Sequence, residues 1–153
     1  MKKLILPDAI QAKGDDFIFG VATSSFQIEG ARELRLDCIW DTFCTQQGTI
    51  SDHSNGDVAC DHHSRWEQDL QMLLELGVDA YRFSIAWPRV IDIDGALNET
   101  GIRFYEHILN FLKQHNKQAF ITLYHWDLPQ HLENGGGWLS RETADAFADY
   151  VAL

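Results

Sequence analysis

Gln27, Arg82 and the His125-Trp126 pair are the side chains in this sequence best equipped for recognition chemistry, and each accompanies a short apolar run. Gln27 lies in Thr23-Ser24-Ser25-Phe26-Gln27-Ile28-Glu29-Gly30. A carboxamide both donates and accepts, so it can bridge two neighbouring sugar hydroxyls; as an ordinary loop glutamine it would cap a backbone group instead. Arg82 stands in Tyr81-Arg82-Phe83-Ser84. A buried arginine needs a partner, and its fork fits a carboxylate bidentately. Such an arginine can hold a catalytic carboxylate ionised, form a structural ion pair, or snorkel outward. In Tyr124-His125-Trp126-Asp127-Leu128-Pro129 the indole face suits the C–H face of a sugar and the imidazole nitrogens suit its hydroxyls. A core tryptophan beside a satisfied histidine is the other reading of that pair. Trp138, after Gly135-Gly136-Gly137, adds an aromatic wall or packs a loop.

Together these groups describe a polar, aromatic pocket suited to a sugar. They supply no reaction. Glycoside hydrolysis needs two carboxyl groups flanking the bond, about 5–5.5 Å apart when configuration is retained. Glu29, Asp127 and Glu133 lie close to the candidate residues, and nothing in the sequence marks two of them as a pair. Cys38, Cys44 and Cys60 with His53, His62 and His63 match no common zinc spacing, and adjacent histidines struggle to aim at one ion. No metal site is expected.

The elements that must position these groups follow from apolar periodicity. Runs at 17–22, 80–85 and 119–124 carry β-branched or aromatic residues and read as buried strands. Between the second and third, residues 100–116 place Ile102, Tyr105, Ile108, Leu109 and Leu112 on one helix face. Before the second, residues 61–76 repeat the period with Trp66, Leu70, Leu73 and Leu74, and Gly77 suits the helix C-terminus. After the third, Ser140 can N-cap a helix with Glu142 in its first turn and Phe147, Tyr150 and Val151 facing inward. That helix is still running at Leu153, and residues 45–59 read as a polar surface loop. The order strand, long loop, helix, strand, helix, strand, helix predicts a parallel α/β sheet. The pattern leaves open a small doubly wound sheet or the start of a (β/α)₈ barrel. No Gly-x-Gly-x-x-Gly follows the first strand, which argues against a dinucleotide site.

Composition narrows the partners. The 153 residues are 45% hydrophobic and 23% charged, as in an ordinary globular domain. A formal net charge of −11 argues against nucleic acid and anionic membrane as partners. Pro7 and Asp8 end the apolar start well short of the roughly 7–15 residues of a signal-peptide core, so a cytoplasmic location is expected. No run approaches the ~18 apolar residues of a membrane span.

Beyond the residue chemistry, Phe17-Ile18-Phe19-Gly20-Val21-Ala22-Thr23-Ser24-Ser25-Phe26-Gln27-Ile28-Glu29-Gly30-Ala31 resembles the N-terminal signature of glycoside hydrolase family 1. Ile39-Trp40-Asp41-Thr42-Phe43, Ala59-Cys60-Asp61-His62, Tyr81-Arg82-Phe83-Ser84-Ile85-Ala86-Trp87-Pro88-Arg89, Thr122-Leu123-Tyr124-His125-Trp126-Asp127-Leu128-Pro129 and the Gly136-Gly137-Trp138 turn resemble the same family, in order, from about Asp16 to the last residue. The resemblance implies a single (β/α)₈ TIM barrel domain, of which residues 1–153 make the N-terminal part, about the first three βα units. It implies a retaining β-glucosidase with two glutamates, one acid/base and one nucleophile, both expected beyond Leu153, so that no catalytic residue lies within the chain. It also implies that Gln27, His125 and Trp126 line the pocket for the non-reducing sugar, that Arg82 pairs with the nucleophile, and that no cofactor is needed. The expected partner is a β-glucoside or oligosaccharide substrate. Ser25-Phe26-Gln27 is more similar to the unphosphorylated branch than to the 6-phospho-β-glucosidases. A non-catalytic sugar-binding module or a structural barrel fragment are the alternatives. The sequence departs from the family in having His63 where tyrosine is usual, and no proline in residues 90–96.

Overall fold

The computed structural model describes residues 17–153. The reading of the first eight residues lies outside them. Three parallel strands, β1 (Gly20–Ala22), β2 (Ala80–Ser84) and β3 (Gln118–Thr122), form one sheet in the order β1-β2-β3. The register sets Ala22 beside Arg82 and Arg82 beside Phe120. In chain order the helices are α1 (Ser25–Ile28), α2 (Ile39–Thr45), α3 (His62–Leu76), α4 (Trp87–Val90), α5 (Glu99–Gln114), α6 (Gln130–Asn134) and α7 (Arg141–Val151), with 3₁₀ turns at Arg32–Leu34 and Gly137–Leu139.

The two long crossover helices form where the apolar period is sustained. Helix α3 turns Leu70 and Leu73 inward and ends on Gly77 at φ 71°, a left-handed position that glycine takes without strain. Helix α5 is capped by Asn98, whose side chain accepts from the Gly101 N–H at 3.1 Å, and buries Phe104, Tyr105, Ile108 and Leu112. Gly101 is required because a Cβ there would collide with the backbone carbonyl of Arg89. These faces meet Tyr81 and Phe83 of β2, and Trp87, Leu128 and Tyr150 complete the core. Trp87 stacks on Tyr150 with centroids 5.2 Å apart.

Burial departs from the sequence reading in two places. The central strand β2 is buried except at Arg82, whereas β1 and β3 are largely exposed, with Phe120 at 48% and Ile121 at 43%. β2 is paired on both edges, while each outer strand is paired on one. In α7, Tyr150 is buried and Phe147 partly so, but Val151 is exposed. The Ser140 hydroxyl caps that helix by accepting from Glu142 N–H at 3.3 Å, and the helix ends at Val151. The long loop after β1 also holds more structure than its sequence suggests. Helix α2 is closed by Asp41, whose carboxylate accepts from the Cys38 N–H at 2.8 Å while pairing bidentately with Arg35 at 2.6 and 2.9 Å. Arg35 and its hydrogen bonds hold the buried Asp41 carboxyl below its ordinary range against the opposing effect of burial.

Candidate functional site

The C-terminal ends of the three strands converge, as the parallel topology requires of a ligand site. Gln27 sits in α1, directly after β1, where its Oε1 accepts from the Ser24 hydroxyl at 2.7 Å. His125 and Trp126 follow β3 in a turn fastened to the loop before α2: Ile39 N–H donates to Leu128 O at 2.9 Å, and Gln130 N–H to Asp37 O at 2.8 Å. Trp126 is 64% exposed and has φ 70°, a left-handed conformation unfavourable for a side chain with a Cβ. Gln27, His125 and Trp126 line one open cavity of about 320 Å³, together with Ser24, Phe26 and Trp40. Three of the four recognition residues read from the sequence are thus neighbours, and Trp40 joins them. The indole of Trp40 lies 6.2 Å from Phe26 and 5.7 Å edge-on from Phe43, so the cavity has an aromatic wall that the motif reading did not single out.

Arg82 behaves differently. It projects from the sheet face opposite Tyr81 and Phe83, as strand alternation dictates. It is exposed and makes no ion pair among the described residues. Ala22, Arg82 and Phe120, in register across the sheet, are all exposed. The structure therefore leaves Arg82 outside the cavity lining and brings it no carboxylate.

The buried arginine is Arg89, in α4, and it was not singled out as a candidate. Its Nε donates to Glu29 Oε2 at 2.9 Å and its Nη2 to Gly30 O at 2.8 Å, while Tyr105 OH donates to Glu29 Oε1 at 2.6 Å and accepts from Ala86 N–H at 2.8 Å. Burial raises the Glu29 pKa, opposed by Arg89 and Tyr105. The network fixes the exit of α1 to α4 and α5. Asp127 is equally buried: it accepts from Ser25 Oγ at 2.7 Å and His125 N–H at 3.3 Å, and burial raises its pKa. Two of the three carboxylates considered from the sequence are therefore occupied by structural donors, and Glu133 is exposed in α6.

Trp138 takes the packing role, edge-on to Tyr124 at 5.2 Å and to Phe147 at 5.5 Å. His63 stacks on Phe104 at 4.6 Å, and burial lowers its pKa, so the imidazole fills an aromatic position. His62 Nδ1 bonds Asp69 at 2.7 Å. Among the described residues no group of three or more His, Cys, Asp or Glu is placed to hold a metal ion. No helix among them is long and apolar enough to cross a membrane.

Comparison with known proteins places this geometry. The family model described as glycosyl hydrolase family 1 matches residues 11–153. The β-glucosidase of Agrobacterium sp. (strain ATCC 21400) is 52% identical over 139 residues, covering 89% of this chain and 30% of the relative. The solved GH1 β-glucosidase from Exiguobacterium antarcticum B7 superimposes with a TM-score of 0.86 at 47% identity, covering 90% of this chain and 31% of that one. The virulence factor SghA, known from Agrobacterium tumefaciens and solved with its substrate analog salicin, gives 0.83 at 53% identity, with 88% and 30% covered. The chain spans about a third or less of the length of these proteins. Its parallel strands and crossover helices are the N-terminal portion of their TIM barrel, and with the motifs in order and the strand ends superimposed the chain belongs to glycosyl hydrolase family 1.

Proposed function

We propose that this chain forms the front of a (β/α)₈ barrel that removes terminal non-reducing β-D-glucosyl residues with retention of configuration. The observation that carries the reading is the convergence of Gln27, His125 and Trp126, from opposite ends of the motif set, on one cavity at the strand ends. The indole offers its face to the sugar C–H face, and the carboxamide and imidazole offer hydrogen bonds to hydroxyls. The two glutamates of a retaining glycosidase, one forming the glycosyl-enzyme and one serving first as acid and then as base, come from the remainder of the barrel. Arg82, on the open face of the sheet, is free to meet the nucleophile there and hold it ionised. Glu29 and Asp127 take no part in bond cleavage, since each is buried and bound by two donors. By itself the chain offers part of a sugar pocket and no turnover. Ser25-Phe26-Gln27 favours an unphosphorylated glucoside over a 6-phosphoglucoside.

The test is hydrolysis of an aryl β-D-glucoside and its 6-phosphate by the full-length barrel carrying this segment, with anomeric configuration followed by NMR. The expected result is preferential cleavage of the free glucoside, with β-glucose as first product. A folded barrel that cleaves neither, or releases α-glucose first, overturns the proposal.

A further inference from the structure

The hydrogen bonds at the strand ends form one directed chain. Ser25 N–H donates to Ser84 Oγ at 2.7 Å, so the single hydroxyl proton of Ser84 goes to Ser25 Oγ at 2.9 Å. Ser25 Oγ, having accepted, sends its own proton to Asp127 Oδ2 at 2.7 Å. Asp127 Oδ1 accepts from the His125 N–H at 3.3 Å. Each hydroxyl proton is used once, and the chain can end only on a group that accepts at both oxygens. Ser25 and Ser84 are 2% exposed and Asp127 1%, so no bulk solvent can substitute for a lost partner. The three residues sit at or just beyond the ends of three different strands.

What this chain holds is the cavity lining. Gln27 lies two residues after Ser25 in the same short helix, and its Oε1 is set by Ser24. His125 and Trp126 immediately precede Asp127, and the His125 N–H to Asp127 bond closes the turn around the left-handed Trp126 backbone. A four-residue helix and a turn with an unfavourable φ have little rigidity of their own.

We propose that Asp127, acting through Ser25 and Ser84, is the positioning residue of the sugar pocket, holding the Gln27 helix and the His125-Trp126 turn at a fixed separation across the three strand ends. This rests on the functional reading above. Asp127 touches no reacting atom. Asparagine replaces it only at a cost: with its NH₂ toward the His125 N–H donor meets donor, and with its NH₂ toward Ser25 Oγ the serine must accept instead, so the hydroxyl proton that the carboxylate took loses its acceptor.

The experiment uses the full-length barrel at 25 °C, below the melting point of each variant. It compares Asp127→Asn, Ser25→Ala and Ser84→Ala, with Asn98→Ala as a control that removes the N-cap hydrogen bond of α5 and lies outside the cavity lining. Misplacement of binding groups by about 1 Å costs on the order of 100-fold. Asp127→Asn and Ser25→Ala are therefore expected to lower kcat/KM for an aryl β-D-glucoside by about 10- to 100-fold, with the glucose inhibition constant rising in parallel. Ser84→Ala moves both in the same direction, and Asn98→Ala lowers the melting point while leaving KM and glucose inhibition unchanged. If Asp127→Asn does not fold, the two serine variants, each lacking one hydroxyl, decide the matter. A pattern in which Ser25→Ala and Ser84→Ala melt lower but keep wild-type KM and glucose inhibition overturns the proposal. A wild-type barrel without β-glucosidase activity overturns the functional reading instead.

Discussion

Replacing Arg89 by methionine removes the one cation that pairs with Glu29 among the described residues and keeps much of the side-chain length. Both partners are buried, Arg89 at 0% and Glu29 at 4% exposure, and their contact is 2.9 Å. Removing one member of such a pair leaves an uncompensated charge out of water, which costs about 3–5 kcal/mol. The Gly30 carbonyl loses its donor as well, and Tyr105 alone remains on Glu29. The pH dependence follows. Burial already raises the Glu29 pKa above its usual value near 4.5, and Arg89 is the strongest influence opposing that rise. A carboxyl whose folded pKa is raised contributes stability that is fully present below its unfolded pKa and is lost as pH rises through the folded value. Arg89→Met lifts the folded pKa further, so its deficit against wild type is largest at neutral pH and narrows as pH falls toward 4.5. The double variant Arg89→Met/Glu29→Leu removes both charges and should cost less than the sum of the single changes. Urea unfolding of the full-length barrel at pH 7 and pH 5, followed by far-UV circular dichroism, measures all three quantities. A loss below about 1 kcal/mol for Arg89→Met at pH 7, a deficit independent of pH, or additive costs in the double variant would refute the reasoning.

Gly101→Ala should destabilise the barrel by about 2 kcal/mol, since overpacking against the Arg89 carbonyl costs about 3 kcal/mol and alanine returns about 1 kcal/mol of helix propensity. Gly77→Ala, at φ 71° but with open space around it, should cost about 1 kcal/mol; the reverse order in paired urea titrations would count against the packing argument. Cys38 is buried and its thiol is pushed up to about 12, first by burial and then by Asp41, whereas Cys60 is exposed. A maleimide at pH 8 should therefore label Cys60 in the native protein and reach Cys38 only on unfolding, as peptide mass mapping would show.

The long elements were legible because their periods run for several turns. The helix expected at residues 100–116 is Glu99–Gln114, and the strand expected at 80–85 is Ala80–Ser84. Helices α1, α2, α4 and α6 have four to seven residues, too few to show a period, and the sequence reading assigned no element to them. Alternation along β2 is itself a local signal that sets Arg82 apart from its buried neighbours Tyr81 and Phe83. No local signal pairs Arg89 with Glu29, 60 residues away, because that contact depends on how α4 crosses the end of β1.

The sequence by itself determined the alternation of strands and helices, the ordered motifs of the family, and the kinds of side chain available for a sugar: carboxamide, imidazole and indole. These are properties of types and spacing along the chain, which periodicity and motif order record directly. Tertiary structure alone decided that Trp40 joins Gln27 and His125-Trp126 in one cavity, and that Glu29 and Asp127 are structural acceptors. The physical reason is that these outcomes rest on hydrogen bonds spanning 59 to 102 residues, set by the register of three parallel strands and by which carboxylates burial supplies with donors.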